Sequence, residues 1–340
     1  VFYSVAQKDT TIINVVSPNY KTFSSPLVPL IHGTLFLNGY VYGSSRGNTA
    51  GDAGSSIVKV LASDYTSVSY KIIYLNKTGS SAQLINLDQI VSCMGFLWCQ
   101  SGGYVIRINP GDLDYMVFSE LETTTKNQPI GTDGVNLFVT GDTNVYKINA
   151  SLLIGSFSSY GYTGANSVVM PSGAVLGNCI IIQKHATLRA YSHSIIIDKN
   201  YIFLSVSTCT TTVNGYDVAS STNLMHLQKI DKNSMVTQND VSIPKCTDDM
   251  VQNSDFLFLA PELSNISPNI FGSNFGLLAI RKTTLEIKFL KALHKDFNSI
   301  NEIDRQCFGV FYFNSYIIVQ LVNSKKSVAI NTADVENWGD

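Results

Sequence analysis

The sequence predicts an all-β fold assembled from repeated four-stranded antiparallel units, and three observations predict it. First, a short strand with apolar residues two apart recurs as Ile13-Asn14-Val15, Val58-Lys59-Val60, Ile106-Arg107-Ile108, Tyr146-Lys147-Ile148, Gln228-Lys229-Ile230, Leu278-Ala279-Ile280 and Val328-Ala329-Ile330. Second, the last residues of these seven copies are spaced by 45, 48, 40, 82, 50 and 50 residues, close to the roughly 40 to 50 residues that four short strands and their turns occupy. Third, clusters of Gly, Pro, Asn and Asp separate the apolar runs, where a tight reversal needs their backbone geometry.

The unit around Ile106 shows the pattern most clearly. Gln89 to Cys93 reads as an inner strand, Phe96 to Gln100 as the second, Tyr104 to Asn109 as the third and Tyr115 to Leu121 as the outer one. Gly95, Gly102-Gly103 and Pro110-Gly111 punctuate them. The next unit repeats this with Asp133-Gly134, Leu137 to Thr140, Gly141-Asp142 and Asn144 to Asn149. Runs such as Ile195-Ile196-Ile197, Phe256 to Leu259 and Phe308 to Phe313 are continuously apolar and too short for helices. Strands buried on both faces read this way. The best helix candidate, Lys291 to Phe297, is short.

The 82-residue interval between Ile148 and Ile230 decides the unit count. It predicts seven units with an insertion at 158–191, the alternative being a partial eighth unit built from Asn178 to Gln183 and Ala186 to Tyr191. Smaller insertions at Ser44 to Ser55, Thr208 to Asn223 and Glu262 to Asn274 all fall between second and third strands, so they should emerge on one face. The first unit has sequence for second, third and outer strands from Phe2 to Leu30, and the last for inner, second and third strands from Phe308 to Asn331. Residues 1–340 thus read as a single domain whose ends are cut from a larger protein, with the missing strands lying outside this sequence.

Charged residues make up 14% of the chain, below the roughly 25% of ordinary soluble domains. Ser, Thr, Asn and Tyr supply most of the polar surface, which suits an extracellular or virion setting. With a net charge of -2 and no basic run, the electrostatic footprint of nucleic-acid binding is missing. No apolar stretch approaches the ~20 residues a membrane-spanning helix needs.

Candidate chemistry is sparse. His32, His185, His193, His226 and His294 lack ligand spacing, so no metal is expected. Asp112 with Asp114, Asp231 with Asp240, and Asp248-Asp249 are the carboxylate clusters. Asp112 and Asp114 follow Pro110-Gly111, where Asp bonds its own backbone, so turn chemistry is the better reading than paired catalytic acids. Asp231-Lys232-Asn233 lacks the later ligands of a calcium loop, and neither a Gly-x-Ser-x-Gly elbow nor a phosphate-cradling Gly-x-x-x-x-Gly-Lys loop occurs. No catalytic residue and no cofactor is therefore assigned. Cys93, Cys99, Cys179, Cys209, Cys246 and Cys307 are too few for a disulfide scaffold and read as buried thiols. Tyr160 and Tyr162, among small residues of the long insertion, are the binding candidates, because loop aromatics stack on sugar rings or anchor protein partners.

In period and strand pattern the whole chain resembles the β-propeller superfamily. The Trp-Asp ending of WD40 blades, the Tyr-Trp-Thr-Asp repeat and the sialidase box are absent, a kelch-like double glycine occurs once at Gly102-Gly103, and Ala333 to Trp338 looks faintly like the quinoprotein blade motif. In style, with long amide- and hydroxyl-rich loops and Lys in excess over Arg, the chain is similar to propeller modules of bacteriophage tails and fibres. That resemblance implies a non-enzymatic structural or interaction module whose partners are other virion or surface-assembly proteins, or a host glycan or receptor. The alternatives are a secreted glycan-active enzyme with carboxylates at the propeller axis and a surface lectin or adhesion module.

Overall fold

The computed structural model describes residues 10–14, 31–45, 56–63, 67–75, 83–84, 87, 89–101, 104–118, 129–141, 144–155, 181–186, 191–207, 211–213, 216–218, 224–244, 246–261, 277–290, 307–313, 315–321, 326–333 and 335–337. Strand β1 (Thr10–Asn14) comes first, followed by a sheet of β2 (Ile31–Leu37), β3 (Tyr40–Ser45), β4 (Ser56–Leu61) and β5 (Val68–Ile72), then a hairpin of β6 (Tyr74–Leu75) and β7 (Gln83–Leu84). The second sheet comprises β8 (Ile90–Cys93), β9 (Phe96–Ser101), β10 (Tyr104–Ile108) and β11 (Tyr115–Val117). The third comprises β12 (Ile130–Thr132), β13 (Asn136–Thr140), β14 (Asn144–Asn149) and, after a short helix α1 (Ala150–Gly155), β15 (Ile181–Ala186).

Strands β16 (Tyr191–Ile197) and β17 (Tyr201–Ser207) begin the fourth sheet. After a hairpin of β18 (Thr211–Val213) and β19 (Tyr216–Val218), β20 (Leu224–Asp231) and β21 (Val236–Pro244) complete it. The fifth is β22 (Cys246–Gln252), β23 (Phe256–Pro261), β24 (Leu277–Arg281) and β25 (Ile287–Leu290). The sixth takes β26 (Cys307–Phe313), β27 (Tyr316–Leu321) and β28 (Lys326–Asn331), with β1 as its fourth strand. Successive four-stranded antiparallel meanders, the last completed from the start of the chain, are the architecture of a β-propeller.

Among the described residues there are six such sheets, where the spacing predicts seven units. The difference lies in the first copy of the repeated strand. Ile12 stands opposite Val328 and Ile13 opposite Ser327, so the first and last copies are neighbours in one sheet, not third strands of two. An outer strand and a third strand carry the same alternation, and only pairing tells them apart. The strand that the last unit lacks is therefore supplied within this sequence. Within the 82-residue interval, β15 pairs with β14 and is the fourth strand of the third sheet, and β16 already opens the next. The expected insertions do separate second from third strands, at β3–β4, β17–β20 and β23–β24. Lys291 to Phe297 lies outside the described residues.

Two compact units divide the chain: Val1–Tyr20, Phe203–Ile230 and Thr237–Asp340 form one, and Lys21–Ile202 with Asp231–Val236 the other. In the second unit the first strands of consecutive sheets stand side by side, β2 by β8, β8 by β12 and β12 by β16. Gly131 on β12 permits the last approach, since a Cβ there would lie 2.8 Å from Ile197 Cγ1 and 3.0 Å from its Cδ1. In the other unit β22 stands beside β26.

The second sheet is buried on both faces, which explains its nearly continuous apolar sequence. Leu97, Cys99, Ile106, Ile108, Tyr115 and Val117 pack with Tyr42, Ile57 and Ile73 of the first sheet's side. Trp98, Val105 and Met116 pack with Ile130, Leu137, Val139, Tyr146 and Ile148 of the third. Phe118 joins that layer, its ring stacked 6.2 Å from Trp98, whose indole N–H donates to the Cys93 carbonyl at 3.0 Å. At about 1.5 to 3 kcal/mol for each large side chain removed from water, these layers dominate the fold's stability.

Candidate functional site

In an antiparallel meander the turns joining strands 1 to 2 and strands 3 to 4 leave the same end of the sheet. Here that end is built from tight turns. Two-residue turns at Asn38-Gly39 and Met94-Gly95 join Leu37 to Tyr40 and Cys93 to Phe96, and positive φ at both central residues (51° and 81°, 50° and 81°) matches the right-handed twist of the strands they join. In the third sheet Asp133 takes over this task, accepting hydrogen bonds from the N–H groups of Val135 at 3.1 Å and Asn136 at 2.7 Å. Asn253 does the same for Asp255 and Phe256 in the fifth.

The turns from third to fourth strand share a second device. Five residues after five of the third-strand anchors stands a buried apolar side chain: Leu113 after Ile108, Leu153 after Ile148, Met235 after Ile230, Leu285 after Ile280 and Val335 after Ile330. Leu113, Met235 and Leu285 have left-handed backbone, with φ of 62°, 55° and 61°. Their N–H groups donate to the carbonyls of Asn109, Asp231 and Arg281 at 2.9, 2.8 and 2.8 Å. A left-handed non-glycine residue costs roughly 1 to 2 kcal/mol, while burying Leu or Met returns about 1.5 to 3 kcal/mol, so burial wins.

Lysines in the middle of the third strand tie three of these turns to the preceding sheet. Lys59 Nζ donates to the Gly111 carbonyl at 2.7 Å, Lys147 Nζ to that of Lys232 at 3.1 Å, and Lys229 Nζ to that of Thr283 at 2.9 Å. Between the first two sheets the Tyr42 hydroxyl adds a bond to the Pro110 carbonyl at 3.0 Å, and Lys71 pairs with Asp114 at 2.8 Å. Burial, with the Tyr40 phenol beside it, raises the Tyr42 hydroxyl above its ordinary pKa. Arg281 and Lys288 likewise bind Glu336. Several of these cations also lie over an aromatic ring at the start of the second strand: Lys59 over Tyr40 and Arg107 over Phe96, both at 4.4 Å, and Arg281 over Phe256 at 4.8 Å.

On this tied end of the Lys21–Ile202 unit, large apolar side chains face solvent. Phe36 is 66% exposed, Met94 46% and Val135 55%. They sit at the 1-to-2 ends of three consecutive sheets whose first strands adjoin. Met94 is the unusual residue. Its left-handed φ of 50° favours Asn, Asp or Gly, and no burial offsets the strain.

The electrostatics of this end are local. Burial pushes the Asp133 carboxyl up, but bonds from Asn136, Val135 and the Lys232 ammonium outweigh it and hold the group below its ordinary pKa. Burial raises the Cys93 thiol, with the Thr132 bond opposing and the Asp133 charge adding. Cys93 and Cys99 are buried free thiols, as the sequence predicts, and burial raises Cys99 strongly.

The sequence-derived binding candidates Tyr160 and Tyr162 lie outside the described residues. Asp112 accepts the Asp114 N–H at 3.0 Å, the turn role expected of it, and Asp231 accepts those of Asn233 and Ser234 at 3.0 and 2.7 Å, a turn role the sequence reading did not assign. Asp240 binds His226 Nδ1 at 2.6 Å and the Gln228 amide at 3.0 Å, a grouping the spacing of these residues does not reveal. Among the described residues no group of three or more His, Cys, Asp or Glu could hold a metal ion, and no helix is long and apolar enough to cross a membrane. The Phe36, Met94 and Val135 surface was missed in the sequence. Its one signal there is a Met where the hairpin turn calls for Asn or Asp.

No family model and no curated protein matches the sequence. Among solved structures, hydrazine synthase of Kuenenia stuttgartiensis is similar over 88% of this chain and 77% of that chain, at 12% identity and a TM-score of 0.53. BamB from Moraxella catarrhalis aligns over 86% and 79% at 8% identity and a TM-score of 0.45, and the Neurospora crassa Pan2 WD40 domain over 98% of both chains at 8% identity and 0.43. At such identities the likeness is one of fold alone.

Proposed function

We propose that this chain is a non-enzymatic β-propeller interaction module of a virion, as a phage tail or fibre component, or of a cell-surface assembly, scaffolding neighbouring proteins or contacting a host surface. The strained, solvent-facing Met94 between Phe36 and Val135 carries this reading. A tied set of turns holds these side chains at fixed positions, so a partner meets a preformed apolar surface and the cost of ordering it is already met. Low charge, at 14% of residues, and a surface of hydroxyls and amides support an extracellular or particle setting. The carboxylates singled out as enzyme candidates at Asp112, Asp114, Asp231 and Asp240 each have a structural partner, which favours binding over glycan cleavage.

The test replaces Met94→Asn together with Val135→Ser in the parent protein and measures how much of it is retained in the assembled particle or surface layer. Loss of incorporation with thermal stability unchanged or raised supports the reading. Full incorporation of a folded variant contradicts it.

A further inference from the structure

We infer that the fourth-strand position of the sixth sheet is an exchangeable strand site, filled by β1 of the same chain and open to β1 of a second copy. The inference is independent of the proposed function and rests on connectivity. β1 completes the unit that contains β26 to β28, yet from Lys21 onward the chain enters the other compact unit. All five residues of β1 pair with β28, from Thr10 opposite Ile330 to Asn14 opposite Lys326, and β28 is its one neighbour in the sheet. The 16 residues between Asn14 and Ile31 tether it. Releasing β1 therefore breaks one five-residue ladder and leaves β26, β27 and β28 paired with one another.

An unfilled β28 edge presents unpaired N–H and C=O groups, a template for an extended segment. The segment that fits in register is Thr10–Asn14 itself, and a second copy carries the same one. Exchange of an identical element is a low-cost route to dimers. Within one chain a connection of 16 residues gives an effective concentration on the order of millimolar. Self-pairing thus prevails in dilute solution, and exchange grows as chains are crowded in an assembly.

Full-length chains test this with single cysteines at opposed positions. One chain carries Thr11→Cys and the other Ala329→Cys, residues that face each other across the ladder. They are mixed, oxidised gently at rising protein concentration, and the products identified by mass. The expected result is a mixed disulfide dimer whose yield rises with concentration, while a single chain bearing both substitutions links internally in dilute solution. Internal linkage without any mixed dimer overturns exchange. No linkage in either case overturns the pairing itself. The pair Asn14→Cys and Lys326→Cys, at the other end of the ladder, repeats the test should the first pair disturb folding.

Discussion

The Lys232 ammonium lies 3.3 Å from the Asp133 carboxylate, joining a third-to-fourth-strand turn of one sheet to the first-to-second-strand turn of the sheet before it. Asp133 also organises its own turn through Val135 and Asn136. Asp133→Asn is expected to cost about 1 to 3 kcal/mol at neutral pH, the usual loss when a charge-assisted set of bonds is broken. Because the folded carboxyl sits below its ordinary value, its stabilisation is complete above the unfolded pKa of about 3.9 and is lost as pH falls through the folded value. Urea unfolding should therefore show a gap between parent and variant at pH 7 that narrows only below the unfolded pKa and closes once pH has fallen past the lowered folded value. A gap independent of pH contradicts the assignment.

Met94 and Leu285 share a left-handed backbone but differ in burial, so the same substitution should act in opposite directions. Met94→Asn relieves strain at an exposed residue and is expected to stabilise by roughly 0.5 to 1 kcal/mol. Leu285→Asn relieves the same strain but leaves a cavity and buries an amide, for a net loss of about 1 to 3 kcal/mol. Thermal melts of the two variants check the sign directly.

Lys229 is buried and donates to the Thr283 carbonyl, and burial lowers its pKa. Lys229→Met keeps the aliphatic stem and removes the donor, with an expected cost of about 1 to 2 kcal/mol in denaturant unfolding. Equal stability of variant and parent would mean that the third-strand cation is packing alone.

At Gly131 the limit is space. Gly131→Ala places a methyl 2.8 Å from Ile197 Cγ1 and is expected to destabilise by roughly 1 to 3 kcal/mol. Ile197→Ala in the same chain should recover part of that loss relative to the sum of the single changes, a coupling that a double-mutant cycle measures.

Much of the fold is legible in the sequence because a blade is written in local signals. Phe96 to Gln100 and Tyr104 to Asn109, set off by Gly95, Gly102-Gly103 and Pro110-Gly111, read as neighbouring strands, and to within one residue at the end of each they are the paired β9 and β10. The partner of β1 was not legible, since nothing in Thr10–Asn14 distinguishes a strand that pairs within its own unit from one that crosses the chain to β28. The helix Ala150–Gly155 escaped notice although Asn149, whose side chain accepts the Ser151 N–H at 3.0 Å, is a readable cap. The role of Lys59, Lys147 and Lys229 was hidden for the same reason as β1: each acceptor lies 52, 85 or 54 residues away. Of the candidate site, only the strained position of Met94 left a local trace.

The most direct measurement is a cryo-EM map of this protein in its native setting. Density from a neighbouring protein, or from a captured host component, is expected over Phe36, Met94 and Val135. A map in which these three side chains remain in open solvent while the chain is anchored elsewhere would contradict it.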